Sequence, residues 1–231
     1  FGVPLFYALS GFVLAYGYAD RLDSRAQVLS FYTRRLFRIM PLFYTMLALW
    51  LLANWWVWGQ TFPLRTIVIN LAFLFGLVPG LHESIVWAGW SIGIEMLFYV
   101  AFPIVSVFVR DLRLAVLAFV LACLISGSVQ AALGKAQVGS YVYMNLMTHL
   151  PFFMSGVLTY RVWQRLGFSR LRAGWLLLLG ACGLMAIITR DGVYAWLDNV
   201  AGPGAPMQAW AVVFGLVILA SCLARNPLLE Q

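Results

Sequence analysis

The sequence predicts an all-α protein: a polytopic transmembrane helical bundle of about seven full spans, with a re-entrant or short double-crossing segment at 66–90. Three observations predict it. Of 231 residues, 63% are hydrophobic and only 10% charged, against about 25% charged in an ordinary soluble domain. Mean hydropathy is +0.90. The apolar residues also fall into runs near the roughly 20 that a helix needs to cross a bilayer. No internal repeat, low-complexity tract or soluble boundary interrupts the chain, so 1–231 reads as one integral-membrane domain.

The elements follow in order. The first span covers about 1–19, and a basic stretch at 20–38 carries Arg21, Arg25, Arg34, Arg35 and Arg38. A second span, 39–58, ends in Trp55, Trp56, Val57 and Trp58, side chains that suit a membrane interface. The apolar run 66–79 would reach only ~21 Å as a helix, short of a ~30 Å hydrocarbon core. Further spans are expected at 91–109, 114–133 and 147–163, with a glycine-containing loop at 134–146. A basic loop at 161–172 holds Arg161, Arg165, Arg170 and Arg172. The last spans are 174–189 and 207–223, separated by a loop with Gly202, Pro203, Gly204 and Pro206.

Charge decides the topology. If 66–79 crossed like any other span, seven basic residues would fall on one side and eight on the other. If 66–90 enters and leaves on one face, Arg21, Arg25, Arg34, Arg35, Arg38, Arg110, Arg113, Arg161, Arg165, Arg170, Arg172 and Arg225 fall together. Only Arg65, Lys135 and Arg190 then oppose them. The second partition obeys the positive-inside rule and makes the Arg-rich loops cytoplasmic. Irregular backbone at membrane depth persists only where it is buried in protein or lines a cavity. The region 66–95 is therefore the first place to seek a site. The net charge of +7 has the same origin: it points to membrane lipids as partners and away from nucleic acid. Cys123, Cys182 and Cys222 each lie in an apolar run, and their spacing fits neither a metal nor a redox motif. They read as small buried hydrophobes.

Glu95 is the sharpest chemical signal. A carboxylate inside an apolar span is costly and marks function by default. Ser91, four residues earlier, shares its helix face, and Trp90 stands just ahead at the interface. The structural alternative is a helix start with Ser91 as N-cap, although a capping box needs its Glu three residues on, not four. Arg34, Arg35 and Arg38 form the second signal. Guanidinium forks suit a polyphosphate, while the plainer reading is an anchor in anionic lipid. His82, beside Glu83, is a base or an interfacial polar residue. His149, ahead of Pro151, reads as a hydrogen-bonded residue at a helix start. No P-loop, dinucleotide fingerprint or metal-ligand spacing is present.

Three stretches together resemble the acyltransferase 3 family of membrane acyltransferases: FYALSGFVL at 6–14, FYTRRLFRIMPLF at 31–43 and WSIGIEMLFYVAFP at 90–103. LPFFMSGVLTYRV at 150–162 is similar to a later family segment, and the resemblance spans nearly the whole chain. It implies an enzyme of the bacterial cytoplasmic (inner) membrane that moves an acyl group, commonly acetyl from acetyl-CoA, to a hydroxyl of an extracytoplasmic carbohydrate or glycolipid acceptor. It also implies that Arg34, Arg35 and Arg38 hold the CoA phosphates, and that Glu95, with Ser91 and Trp90, belongs to the active centre. No metal is required, and acyl-CoA is a donor substrate rather than a resident cofactor. The family's catalytic His, with an Arg before it on a first helix, has no counterpart in 1–231, nor has its C-terminal Ser-Tyr-x-x-Tyr-Leu-x-His helix. The resemblance thus implies a chain truncated at both ends and inactive alone. Two rivals stay open. One is a transporter or flippase for a glycan or lipid-linked substrate, with Glu95 as a proton or cation site. The other is a non-catalytic subunit that holds partner helices.

Overall fold

A computed structural model describes residues 2–166 and 171–224, with the backbone alone for 171, 172 and 191. Among these residues the fold is helical, without strands: α1 (Gly2–Tyr18), α2 (Arg25–Trp58), α3 (Leu64–Leu71), α4 (Trp90–Phe108), α5 (Leu112–Lys135), α6 (Leu146–Leu166), α7 (Leu171–Ile188), α8 (Asp191–Ala201) and α9 (Ala205–Leu223). Short 3-10 turns cover Phe75–Leu77 and Gly139–Val142. By length and apolar composition, α2, α4, α5 and α9 can each cross a bilayer. A fifth crossing is possible if α7 and α8, bent by 86° at their junction, form one broken span. That is fewer than the seven expected: α1 is apolar but only 17 residues long, and α6, although 21 residues long, falls short in apolarity. The polar groups of α6 face protein instead, since Thr148, His149, Ser155, Thr159 and Arg161 are all buried.

Several boundaries differ from expectation. The basic stretch 20–38 is not a connection beyond Ser24. A reciprocal capping box at Ser24 and Gln27 starts α2, and arginine is a good helix former. At 34 residues, α2 extends about 51 Å, until Gly59 closes it in the left-handed conformation that glycine adopts without strain. Arg161 and Arg165 lie within α6, not in a loop. Residues 191–201 are helical where a loop was expected. The cysteines are not all buried: Cys182 is exposed, and Cys123 and Cys222 are half-buried. A bundle surrounded by lipid can carry an apolar thiol on its outer face. Arg170, Arg225 and the side chain of Arg172 lie outside the described residues.

Two sets of contacts define the ends of the bundle. At one, Arg161 bridges three elements. Its guanidinium pairs with Asp20 after α1 at 3.1 Å and donates to the carbonyl of Val109 after α4 at 2.9 and 3.2 Å. At the other end, Trp90, Tyr143 and His149 cluster with Tyr7. α2 runs antiparallel to α4, with Phe31 against Phe102 and Phe43 against Phe75, and Phe75 in turn against Gly93. The chain therefore leaves α2 and enters α4 at the same end of the bundle. The segment between them holds only the eight-residue α3, about 12 Å long, and one 3-10 turn.

α1 and α6 form the closest seam. A Cβ on Gly11 would stand 2.1 Å from the carbonyl oxygen of Phe153, and one on Gly156 2.0 Å from that of Ala8. Small residues that let two backbones meet are the usual device for packing helices in lipid.

Candidate active site

Glu95 occupies the second turn of α4 and is 6% exposed. Ser10 of α1 donates to its Oε1 at 3.2 Å, and the hydroxyl of Tyr99 donates to the same oxygen. Among the described residues Oε2 has no donor. A buried carboxylate is tolerable only where hydrogen bonds replace water, and these two neutral donors satisfy one side of it.

Across from Glu95, α2 presents two of the three arginines. Arg35 is 9% exposed. Its guanidinium lies 5.2 Å from the ring of Tyr18, 5.5 Å from Tyr99 and 6.0 Å from Phe31. A guanidinium sandwiched by aromatic faces is held by attraction to their quadrupoles, yet its buried Nε has no hydrogen-bond partner. Arg38, three residues on, is exposed and turned the same way. Arg35, Arg38, Ser10, Glu95 and Tyr99 line a small cleft of about 90 Å³, closed on its apolar side by Phe6, Leu9 and Val13. A second cleft of about 240 Å³ shares Arg38 and Glu95 but is otherwise apolar, walled by Ile39, Leu42, Phe43 and Met46 of α2 and by Val86 and Ile92. Arg34 is exposed and lines neither cleft.

Ser91 and Trp90 stand elsewhere. The Ser91 hydroxyl donates back to the carbonyl of Ala88 at 3.2 Å, and the Ser91 carbonyl accepts from the Tyr7 hydroxyl at 3.1 Å. Trp90 stacks on His149 at 5.9 Å and meets Tyr143 edge-on at 5.4 Å. Both residues build the start of α4; neither lines the clefts beside Glu95. His149 lies at a helix start, fully buried within a cage of aromatic rings and beside the Tyr143 backbone.

The segment leading into α4 is tied down twice. Buried Asn70 accepts from the Ser84 hydroxyl at 2.7 Å and from the Ile85 amide at 3.0 Å. These bonds hold a path in which Phe73, Ser84 and Ala88 adopt positive φ values of 56°, 71° and 59°, each a strained choice for a side chain bearing Cβ. His82, 6% exposed, accepts the Gly80 amide on Nδ1 at 3.1 Å. Its Nε2 lies 2.9 Å from the Ser140 hydroxyl, which donates to Glu83. Because the Gly80 amide must donate, Nδ1 carries no proton and the ring is neutral.

Ser10 and Tyr99, the two side chains hydrogen-bonded to Glu95, are absent from the sequence reading. Tyr99 is four residues beyond Glu95, so the spacing did carry a signal. Ser10 touches Glu95 only through the fold. Among the described residues no group of His, Cys, Asp or Glu is arranged to hold a metal ion.

A family model described as an acyltransferase domain matches residues 1–228. No curated protein and no solved structure matches the chain. The apolar helices make the chain an integral membrane protein, and that match over nearly its full length means that it belongs to the acyltransferase 3 family.

Proposed function

We propose that the chain transfers an acyl group, acetyl as the commonest donor, from acyl-CoA at the cytoplasmic side of a bacterial inner membrane to a hydroxyl of an extracytoplasmic carbohydrate or glycolipid. One observation carries the reading: a buried carboxylate, Glu95, and two arginines, Arg35 and Arg38, meet at clefts between α1, α2 and α4. The unpartnered Nε of buried Arg35 fits an anionic ligand, since a buried donor left unbonded is costly. Phosphate oxygens are strong partners for guanidinium. Arg38 adds a second cation at the mouth, and Arg34 contributes charge from outside the cleft.

In the transfer, the thioester C–S bond breaks and an ester C–O bond forms. The acceptor's hydroxyl proton passes to a base and ends on the CoA sulfur. The base is the family's histidine, to which no residue of 1–231 corresponds. Glu95 orients that imidazole and raises its basicity, the role of the third group in a triad. Ser10 and Tyr99 fix the carboxylate. Trp90 and Ser91 act by shaping the start of α4, beside the acceptor's route.

The test is transfer from labelled acetyl-CoA by the full-length protein, which carries that histidine, reconstituted in liposomes. Glu95→Gln should reduce kcat by at least about a hundredfold with insertion and thermal stability retained. Arg35→Ala should raise KM for acetyl-CoA about tenfold. Near-normal transfer by the Glu95 variant sinks the role of Glu95. Substrate movement without any dependence on CoA would favour a transporter instead.

A further inference from the structure

Tyr99 is 4% exposed and touches both charged groups of the site. Its hydroxyl donates to Oε1 of Glu95, one turn back on α4. Its ring lies under the Arg35 guanidinium at 5.5 Å, with Tyr18 on another side of that guanidinium at 5.2 Å. Phe31 packs edge-on against the same ring at 6.4 Å. A tyrosine side chain has only two rotatable bonds before its hydroxyl. Fixing the ring between Arg35 and Phe31 therefore fixes where the hydroxyl points, and a displaced guanidinium would release the ring that carries it.

We propose that Tyr99 is a positioning residue that links donor binding to the site carboxylate: its ring seats Arg35 for the donor's phosphates, and its hydroxyl holds Glu95 for the transfer step. The inference rests on the acyltransferase reading of this cleft. It differs from an ordinary core role in assigning separate tasks to two parts of one side chain. A core aromatic would need its ring and volume but be indifferent to the hydroxyl.

Two variants separate the tasks. Tyr99→Phe keeps the ring beneath Arg35 and deletes the donor to Glu95. Tyr99→Leu removes both and leaves an apolar residue that can pack. Both would be made in the full-length protein and checked for monodisperse elution and unchanged melting. CoA binding and acetyl transfer would then be measured side by side. Tyr99→Phe should keep Kd for CoA and KM for acetyl-CoA within about twofold and lower kcat about tenfold, the loss expected for one hydrogen bond to a charged group. Tyr99→Leu should lower kcat as much and also weaken CoA binding severalfold, because the guanidinium loses a stacking face. A Tyr99→Phe protein with wild-type kcat overturns the inference and leaves the enzyme reading intact. So does one whose KM rises as far as that of Tyr99→Leu. A full-length wild-type protein that neither binds CoA nor transfers acetyl overturns the inference together with the reading it rests on.

Discussion

The α1–α6 seam and the α2–α4 face are built on opposite plans. Along the seam, Gly11 and Gly156 let two backbones touch, and the Phe98 and Phe153 rings stack 4.0 Å apart beside it. Nothing polar is needed because nothing is left open. At the α2–α4 face, long side chains hold the helices apart, two clefts remain, and the charged groups Arg35, Arg38 and Glu95 gather there. In lipid there is no hydrophobic gain from pressing apolar helices together, so close packing must come from small residues. Where they are missing, the gap becomes a place for a ligand. The scaffold and the candidate site are thus one distinction, made by residue size.

The seam is where a single atom should do most damage. Gly156→Val puts a branched Cβ 2.0 Å from the Ala8 carbonyl oxygen, a backbone atom that cannot turn aside. We expect destabilisation at or above the upper end of the ~1–3 kcal/mol typical of overpacking, read as loss of the monodisperse peak in detergent. Gly183→Ala, in α7 where an added Cβ meets nothing within 4 Å, serves as the contrast and should be neutral or gain up to ~1 kcal/mol from helix propensity. Equal behaviour of the two would break the comparison, since the seam would then be no tighter than the surface.

The second expected effect concerns the end of the bundle that ties both regions together. Arg161 is 5% exposed while its partner Asp20 is 54% exposed, so the two are unequal. Asp20→Asn removes the carboxylate charge from beside a buried guanidinium that keeps the Val109 carbonyl, Gln164 and the Tyr160 ring, and should cost ~1–3 kcal/mol. Arg161→Met returns Asp20 to water and replaces the buried charge by apolar volume, and should cost less. Thermal melts of both variants and of the double variant check the order. A larger loss for Arg161→Met would mean that the bonds to Val109, not the charge pairing, hold this corner.

How much of this was legible in the sequence follows from the range of each interaction. The helical course of the chain was legible, because apolar runs are local and do not depend on the packing. Glu95 was legible because a carboxylate in an apolar run has few uses. The start of α2 was not, since arginines at 25–38 read as a loop when counted by hydropathy, although they favour helix. The glycines and prolines at 202–206 hid α8 in a similar way, by marking the whole stretch between two apolar runs as a loop. Ser10 reaches Glu95 across 85 residues of chain and Arg161 reaches Asp20 across 141. No local spacing encodes such contacts. Tyr99 lies between these cases: its spacing from Glu95 was visible, but an aromatic at helical spacing is ordinarily core.

The smallest predicted effect is the one that most sharpens the contrast between open face and filled interior, because it divides a motif. Arg34 and Arg35 are sequence neighbours, about 100° apart around α2. Arg35 is buried against Tyr18 and Tyr99, while Arg34 is exposed and lines neither cleft. An exposed charge acts on a bound phosphate only through water, where salt screens it over about 10 Å at 0.1 M. Arg34→Ala should therefore raise KM for acetyl-CoA by less than about twofold, and that change should vanish as salt is added. The effect of Arg35→Ala should persist at high salt, because a buried cation is screened far less. A salt-resistant, tenfold effect at Arg34 would place the donor on the outer side of α2, away from Glu95, and the cleft would lose its claim to be the site of transfer.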